Sequence, residues 1–233
     1  MSNVAAIVLA AGQGKRMGTS TAKQFLDLGG KPILYYSLRA FEKAKVGTVV
    51  LVTSEDAISY CQKEIVERYG ISNVKAVVSG GKERYHSVYN GLQAVKQAEV
   101  VMIHDGARPF VTTDIIENSY KTAKENGACV AGVPVKDTIK VVNDQGVAVQ
   151  TPERSSLWQI QTPQSFIYEE ICKAYEKMMN AEDTAITDDA MVMERYGERK
   201  VSIIEGNYCN IKITTPEDML VAKAYLQQLE GRE

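Results

Sequence analysis

Val4-Ala5-Ala6-Ile7-Val8-Leu9-Ala10-Ala11-Gly12-Gln13-Gly14-Lys15-Arg16-Met17-Gly18 reads as a buried strand running straight into a glycine-rich loop. An unbroken apolar run of this length suits a strand covered on both faces, as in a parallel sheet. Small residues and glycines after it let backbone N–H groups approach an anion closely, while Lys15, Arg16 and Lys23 supply positive charge. Loops at the carboxyl end of such a strand line the ligand crevice of open α/β sheets. Two readings of residues 9–23 stand at this point: a polyphosphate cradle, or a plain strand-to-helix turn with solvated basic residues. The spacing G-x-G-x-x-x-G departs from the dinucleotide pattern G-x-G-x-x-G, and no G-K-[ST] follows as a P-loop requires.

Outward from that strand, short apolar runs at residues 48–53, 74–78, 100–104, 129–133 and 201–205 alternate with helix-length amphipathic segments. Leu34, Leu38 and Phe41 recur at helical spacing, as do Val88, Leu92 and Val95, so each set packs one helix face onto a sheet. The pattern predicts an α/β fold with helices on both faces of a parallel sheet. Asp114 with Glu117, and Thr215 with Asp218, have capping-box spacing, and Pro216 suits a first helical position. Residues 139–142 and 147–150 flank the turn-like Asn143-Asp144-Gln145-Gly146, which reads as a protruding hairpin. No repeat or Pro/Gly linker divides the chain, so residues 1–233 are expected to form one domain with residues 138–151 as an arm.

The bulk numbers narrow the function classes. A net charge of -2 argues against a whole-surface basic field for nucleic acid or anionic lipid and favours anionic small molecules. Cys61, Cys129, Cys172 and Cys209 form no C-x-x-C pair, which fits reduced thiols rather than a zinc site or a disulfide framework. No segment has the length of an apolar membrane span or the pattern of a signal peptide, so a cytoplasmic protein is expected.

Ala10-Ala11-Gly12-x-Gly14-x-Arg16-Met17 followed by Lys23-Gln24-Phe25 resembles the signature of nucleotidyltransferases that activate sugar phosphates. The likeness continues through Gly80-Gly81-x-x-Arg84-x-x-Ser87-Val88, His104-Asp105-Gly106-Ala107-Arg108-Pro109 and Val133-Pro134-Val135-Lys136-Asp137-Thr138. It extends to Gln161-Thr162-Pro163-Gln164, Thr187-Asp188-Asp189-Ala190 and Asn210-Ile211-Lys212-Ile213-Thr214. Together these resemble the 2-C-methyl-D-erythritol 4-phosphate cytidylyltransferase family of the non-mevalonate isoprenoid pathway, over nearly the whole chain. Ala22 stands where many members have proline before the loop lysine.

The resemblance implies a Rossmann-like three-layer nucleotidyltransferase domain with a mostly parallel sheet and a hairpin arm that joins two subunits. It implies CTP as a substrate and Mg²⁺ held by Asp105. Arg16, Lys23 and Lys212 would stabilise the reacting α-phosphate, and Ala10, Ala11, Gly12, Gly14, Gly80, Gly81 and Ser87 would hold the nucleotide. Arg108, Thr138, Arg154, Thr162 and Thr187 would hold the acceptor, with Arg154 serving the partner's site. Read alone, Asp105 is first a strand-end turn residue and Ser87 a first-turn helix residue, while Arg108 is equally a solvated loop residue. Arg84 is assigned no functional role, His86 and His104 no catalytic one, and Lys15 is left to the surface. The rivals are a ribitol 5-phosphate cytidylyltransferase and, from another class, a non-catalytic nucleotide-binding regulatory protein; the glycine spacing disfavours a dinucleotide-dependent oxidoreductase.

Overall fold

The computed structural model describes residues 1–12, 17, 21–181 and 183–230. Its first strand, β1 (Val4–Ala10), is followed by a small hairpin, β2 (Asp27–Leu28) and β3 (Lys31–Pro32), and then α1 (Ile33–Lys43). Next come β4 (Thr48–Thr53), α2 (Ile58–Tyr60) continuing as a π-helix over Cys61–Glu67, β5 (Val74–Ser79), α3 (Arg84–Ala94) and β6 (Val100–Asp105). Helix α4 (Thr113–Asn126) leads to β7 (Ala128–Pro134), the arm strands β8 (Val141–Val142) and β9 (Ala148–Gln150), and the long β10 (Trp158–Ile167). The chain closes with α5 (Tyr168–Asn180), α6 (Asp189–Tyr196), β11 (Ser202–Glu205) and α7 (Pro216–Glu230).

Among the described residues seven strands form the main sheet in the order β11-β7-β10-β6-β1-β4-β5. Every pairing is parallel except those of β10, which runs antiparallel to both β6 and β7. The period of two along β1 divides the core. Val4, Ala6, Val8 and Ala10 pack with Leu34, Leu38 and Phe41 of α1 and with Ile115 and Ile116 of α4 on one face. Ala5 and Ile7 pack with Val88 and Leu92 of α3 and with Ile171 and Tyr175 of α5 on the other. Each buried Leu, Ile or Phe in these layers contributes roughly 1.5–3 kcal/mol by leaving water. Gly91 lets α3 lie close: a Cβ there would stand 2.6 Å from Ile7 Cγ2. Helix α7 covers the small hairpin, with Ala222 and Leu226 against Leu28 and Ile33.

The six strands read from the sequence are present, with ends shifted by a residue or so. Three local expectations change. Helix α4 is capped by Thr112, whose hydroxyl accepts from Ile115 N at 3.3 Å, so the Asp114 spacing falls inside the first turn instead of marking the helix start. The arm strands are shorter than the expected 139–142 and 147–150; in the turn between them Asn143 Oδ1 accepts from Gln145 N and Val147 N. Strand β10 has no counterpart among the apolar runs of the sequence. By contrast, Thr215 and Asp218 do exchange hydrogen bonds ahead of α7, which begins at Pro216. No helix among the described residues is long and apolar enough to cross a membrane.

Candidate active site

The parallel strands end at one level. Leu9 of β1 is in register with Asp105 of β6, Ala10 with Thr53 of β4, and Thr53 with Ser79 of β5. The loops beyond them are fastened to neighbouring strands: Gly106 N donates to Leu9 O at 2.8 Å, and Gly80 N to Thr53 O at 2.7 Å. Gly80 is required here because a Cβ would stand 2.6 Å from Ala11 Cβ and 2.7 Å from Ser87 Oγ. The backbone after β5 therefore lies directly against the start of the loop after β1. Ser87 Oγ accepts from Gly81 N at 3.0 Å and donates to Glu83 O at 3.3 Å, which fixes this turn on the first turn of α3. His86 completes a cap there, its Nδ1 accepting from Glu83 N at 3.2 Å.

Lys23 opens a 3-10 turn, Lys23–Phe25, whose buried Gln24 donates from Nε2 to the Ala10 carbonyl. That contact ties the segment carrying Lys23 to the end of β1. Gly14, Lys15 and Arg16 lie outside the described residues.

Asp105, at the end of β6, is 8% exposed and is met by three cations. Lys212 Nζ lies 2.9 Å from Oδ2, Arg108 Nε 3.7 Å from Oδ2, and Arg84 Nε 3.7 Å from Oδ1. Burial alone would raise the carboxyl pKa, but Lys212, Arg84 and Arg108 outweigh it and hold the group well below the usual carboxylate range. Arg108 is further held by the Asn210 carbonyl, which accepts from Nη1 at 2.8 Å, while burial lowers its pKa. Arg84 also makes a bidentate pair with fully buried Asp189, Nη1 to Oδ1 at 2.9 Å and Nη2 to Oδ2 at 2.7 Å. Burial opposes its charge, yet Asp189 and Asp105 raise its pKa above the ordinary arginine value.

Strand β10 supplies the floor of the site. Its register shifts between Ile160 and Gln164, and the intervening residues bulge out of the ladder. Thr162 there is buried, and its hydroxyl accepts from Asp105 N at 3.1 Å. His104 Nε2 faces the Arg108 carbonyl at 3.3 Å; a carbonyl only accepts, so Nε2 carries the proton and Nδ1 accepts from the Thr162 hydroxyl at 2.9 Å. Burial pushes the His104 pKa down to about 4, in keeping with this neutral form. Gln161 Oε1 and the Thr162 carbonyl accept from Asn210 Nδ2 at 3.2 and 3.0 Å, which anchors the segment carrying Lys212.

The fold thus joins Asp105, Arg108, Lys212 and Thr162 by direct contact and sets Gly80, Gly81 and Ser87 against Ala11. The remaining candidates stand apart from this cluster. Thr138 and Arg154 are exposed beside the arm, with Arg154 Nη1 donating to the Lys136 carbonyl at 3.2 Å, and among the described residues neither bonds to the Asp105 group. Thr187 is exposed just before α6. Arg84, Gln164, Asp189 and Asn210 are among the structural members that sequence reasoning left without a role. All four lie inside the motifs quoted above, and that adjacency was the one available signal. Among the described residues no group of three or more His, Cys, Asp or Glu could hold a metal ion.

The family model for 2-C-methyl-D-erythritol 4-phosphate cytidylyltransferase matches residues 4–228. The chain is 48% identical to the 2-C-methyl-D-erythritol 4-phosphate cytidylyltransferase of Alkaliphilus oremlandii, over 100% of this chain and 99% of the relative. It is 50% identical to the enzyme of that name from Clostridium botulinum strain Loch Maree, over 98% of this chain and all of the relative. It also superposes on the crystal structure of 4-diphosphocytidyl-2C-methyl-D-erythritol synthase from Anaerococcus prevotii with a TM-score of 0.85 and 35% identity, covering 96% of each chain. With likeness along its full length, and with Gly80, Asp105, Arg108 and Lys212 of the quoted motifs gathered at the strand ends, the chain belongs to the 2-C-methyl-D-erythritol 4-phosphate cytidylyltransferase family.

Proposed function

We propose that this chain transfers the cytidylyl group of CTP to 2-C-methyl-D-erythritol 4-phosphate, releasing pyrophosphate and forming 4-diphosphocytidyl-2-C-methyl-D-erythritol. The observation that carries the reading is the gathering of Lys212, Arg108 and Arg84 at the buried Asp105, at the strand ends of a chain matched by this family over residues 4–228. A phosphate oxygen of the acceptor attacks the α-phosphorus of CTP. That monoester has its second pKa near ~6 and is largely ionised at neutral pH, so no general base and no covalent intermediate are needed. Lys23, Lys212 and Arg16 stabilise the charge that builds up on the α-phosphate, the kind of term that dominates transfer at phosphorus.

Ala10, Ala11, Gly12, Gly14, Gly80, Gly81 and Ser87 hold the nucleotide, with the close approach of Gly80 to Ala11 shaping one wall of the pocket. Thr138, Arg154 and Thr187 hold the acceptor with Arg108, while Thr162 supports the pocket by fixing the Asp105 backbone. Asp105 is the proposed Mg²⁺ ligand. A single carboxylate suits an ion that arrives with triphosphate and keeps several waters, rather than one caged by protein alone. Bound there, Mg²⁺ would neutralise phosphate charge.

The chain is proposed to act as one domain and to dimerise through residues 138–151, where Val142, Val147 and Val149 are 57–61% exposed. Four free cysteines support a cytoplasmic setting. The family match does not favour a ribitol 5-phosphate acceptor or a non-catalytic regulatory role. Pyrophosphate release from CTP and Mg²⁺, assayed with each acceptor in turn, tests the reading. Release with 2-C-methyl-D-erythritol 4-phosphate is expected, and release with ribitol 5-phosphate alone would overturn it.

A further inference from the structure

Arg84 is the first residue of α3, three positions after Gly81 and one helical turn before Ser87. Asp189 is the first residue of α6, two positions after Thr187. Their bidentate pair therefore bolts the segment proposed to read the nucleotide to the segment proposed to hold the acceptor. The same guanidinium turns its Nε toward Asp105 at 3.7 Å, so loops from three places in the chain share one side chain.

Asp189 has no freedom to swing away. Tyr175 OH donates to its Oδ1 at 2.6 Å, and Gln164 Oε1 accepts from its backbone N at 3.0 Å and from Ala190 N at 2.9 Å. Gln164 Nε2 donates to Asp188 Oδ2 at 2.9 Å, and Asp188 caps α6 by accepting from Met191 N at 3.0 Å. A fully buried carboxylate costs desolvation that a well-packed apolar pair would avoid, so stability alone gives little reason for this arrangement. What a rigid fork between two loops does provide is fixed geometry.

We infer that Arg84 and Asp189 form a positioning strut that sets the nucleotide and the acceptor in register, acting through the loops and touching neither reacting group. The inference rests on the functional reading above. Orientation errors of about 1 Å can cost on the order of a hundredfold in rate, so the strut's loss should be visible in kinetics without loss of the fold.

The test is steady-state kinetics of Asp189→Asn, which keeps size but removes the charge, in protein whose circular dichroism matches wild type. The Michaelis constants for CTP and for the acceptor should both rise about tenfold, with kcat also reduced. A fall in kcat with both Michaelis constants unchanged is what loss of folded enzyme gives, and it overturns the strut. If Asp189→Asn does not fold, Tyr175→Phe loosens the same carboxylate from behind. It should raise both constants about threefold, and unchanged constants overturn the proposal. Should the wild-type chain release no pyrophosphate with this acceptor, the functional reading fails on its own. The strut is then judged by calorimetric CTP affinity, which must weaken in Asp189→Asn or Tyr175→Phe; equal affinity overturns it.

Discussion

Lys212 Nζ lies 2.9 Å from Asp105 Oδ2. The lysine comes from the coil before α7 and the carboxylate from the end of β6, so the contact joins segments separated by nearly half of the chain's length. Lys212 keeps 37% of its side chain exposed whereas Asp105 keeps 11%. The lysine is the partner open to solvent, and the carboxylate holds it from the buried side.

Lys212→Ala should lower kcat by about 10²–10³, the usual effect of removing one charge-stabilising donor. Asp105 retains Arg84 and Arg108, so the variant should keep its wild-type circular dichroism. Pyrophosphate release at saturating substrates checks it.

Ionised Asp105 contributes stability because its folded pKa lies below the unfolded one. That contribution is whole above about pH 4 and shrinks as pH falls toward the folded value. Asp105→Asn should melt below wild type at neutral pH, and the gap should narrow below about pH 4. Melting temperatures from pH 7 to 3 measure it.

His104 acts in a higher window. It is neutral in the fold with a pKa of about 4, while the unfolded side chain titrates near ~6.5. Wild type should therefore lose stability between about pH 6.5 and 4 with a slope of about one proton. His104→Gln should lose that component of the slope, as read from denaturant midpoints across the same range.

Ser87→Ala takes away the oxygen that accepts from Gly81 N. A hydrogen bond of this kind is worth about 1 kcal/mol, so the Michaelis constant for CTP should rise about fivefold, with a smaller change in kcat.

The arm carries a prediction about assembly. Val142→Glu with Val149→Glu should shift the protein to monomers in sedimentation velocity. Mixing Arg154→Ala subunits with Lys23→Ala subunits should restore part of the activity that each lacks, since one of the two sites in a mixed dimer would then be intact. Absence of any recovery would mean self-contained subunits.

The parallel strands and the α1 and α3 stripes were legible because burial on both faces leaves unbroken apolar runs and helical spacing. Strand β10 was not. Trp158-Gln159-Ile160-Gln161-Thr162-Pro163-Gln164-Ser165 has neither an apolar run nor clean alternation, because its middle bulges and spends Gln161, Thr162 and Gln164 on the site's hydrogen bonds. For the same reason Arg84 looked incidental. Its partner Asp189 is remote in sequence, and no local pattern announces a buried ion pair. The motifs named candidate residues; which of them touch one another depends on contacts that only the fold creates.

The place of β10 between β6 and β7 also sets an order of assembly. Strands β1, β4, β5 and β6 pair with one another and can associate once residue 105 has left the ribosome. Among the described residues strand β7 lies between β10 and β11, both made after it, so a growing chain carries it unpaired until Trp158–Ile167 emerges. The same late segment brings Thr162 to Asp105. A chain halted short of it would be half a sheet with a bare strand edge and no finished pocket, open to chaperones or aggregation before it could meet a substrate.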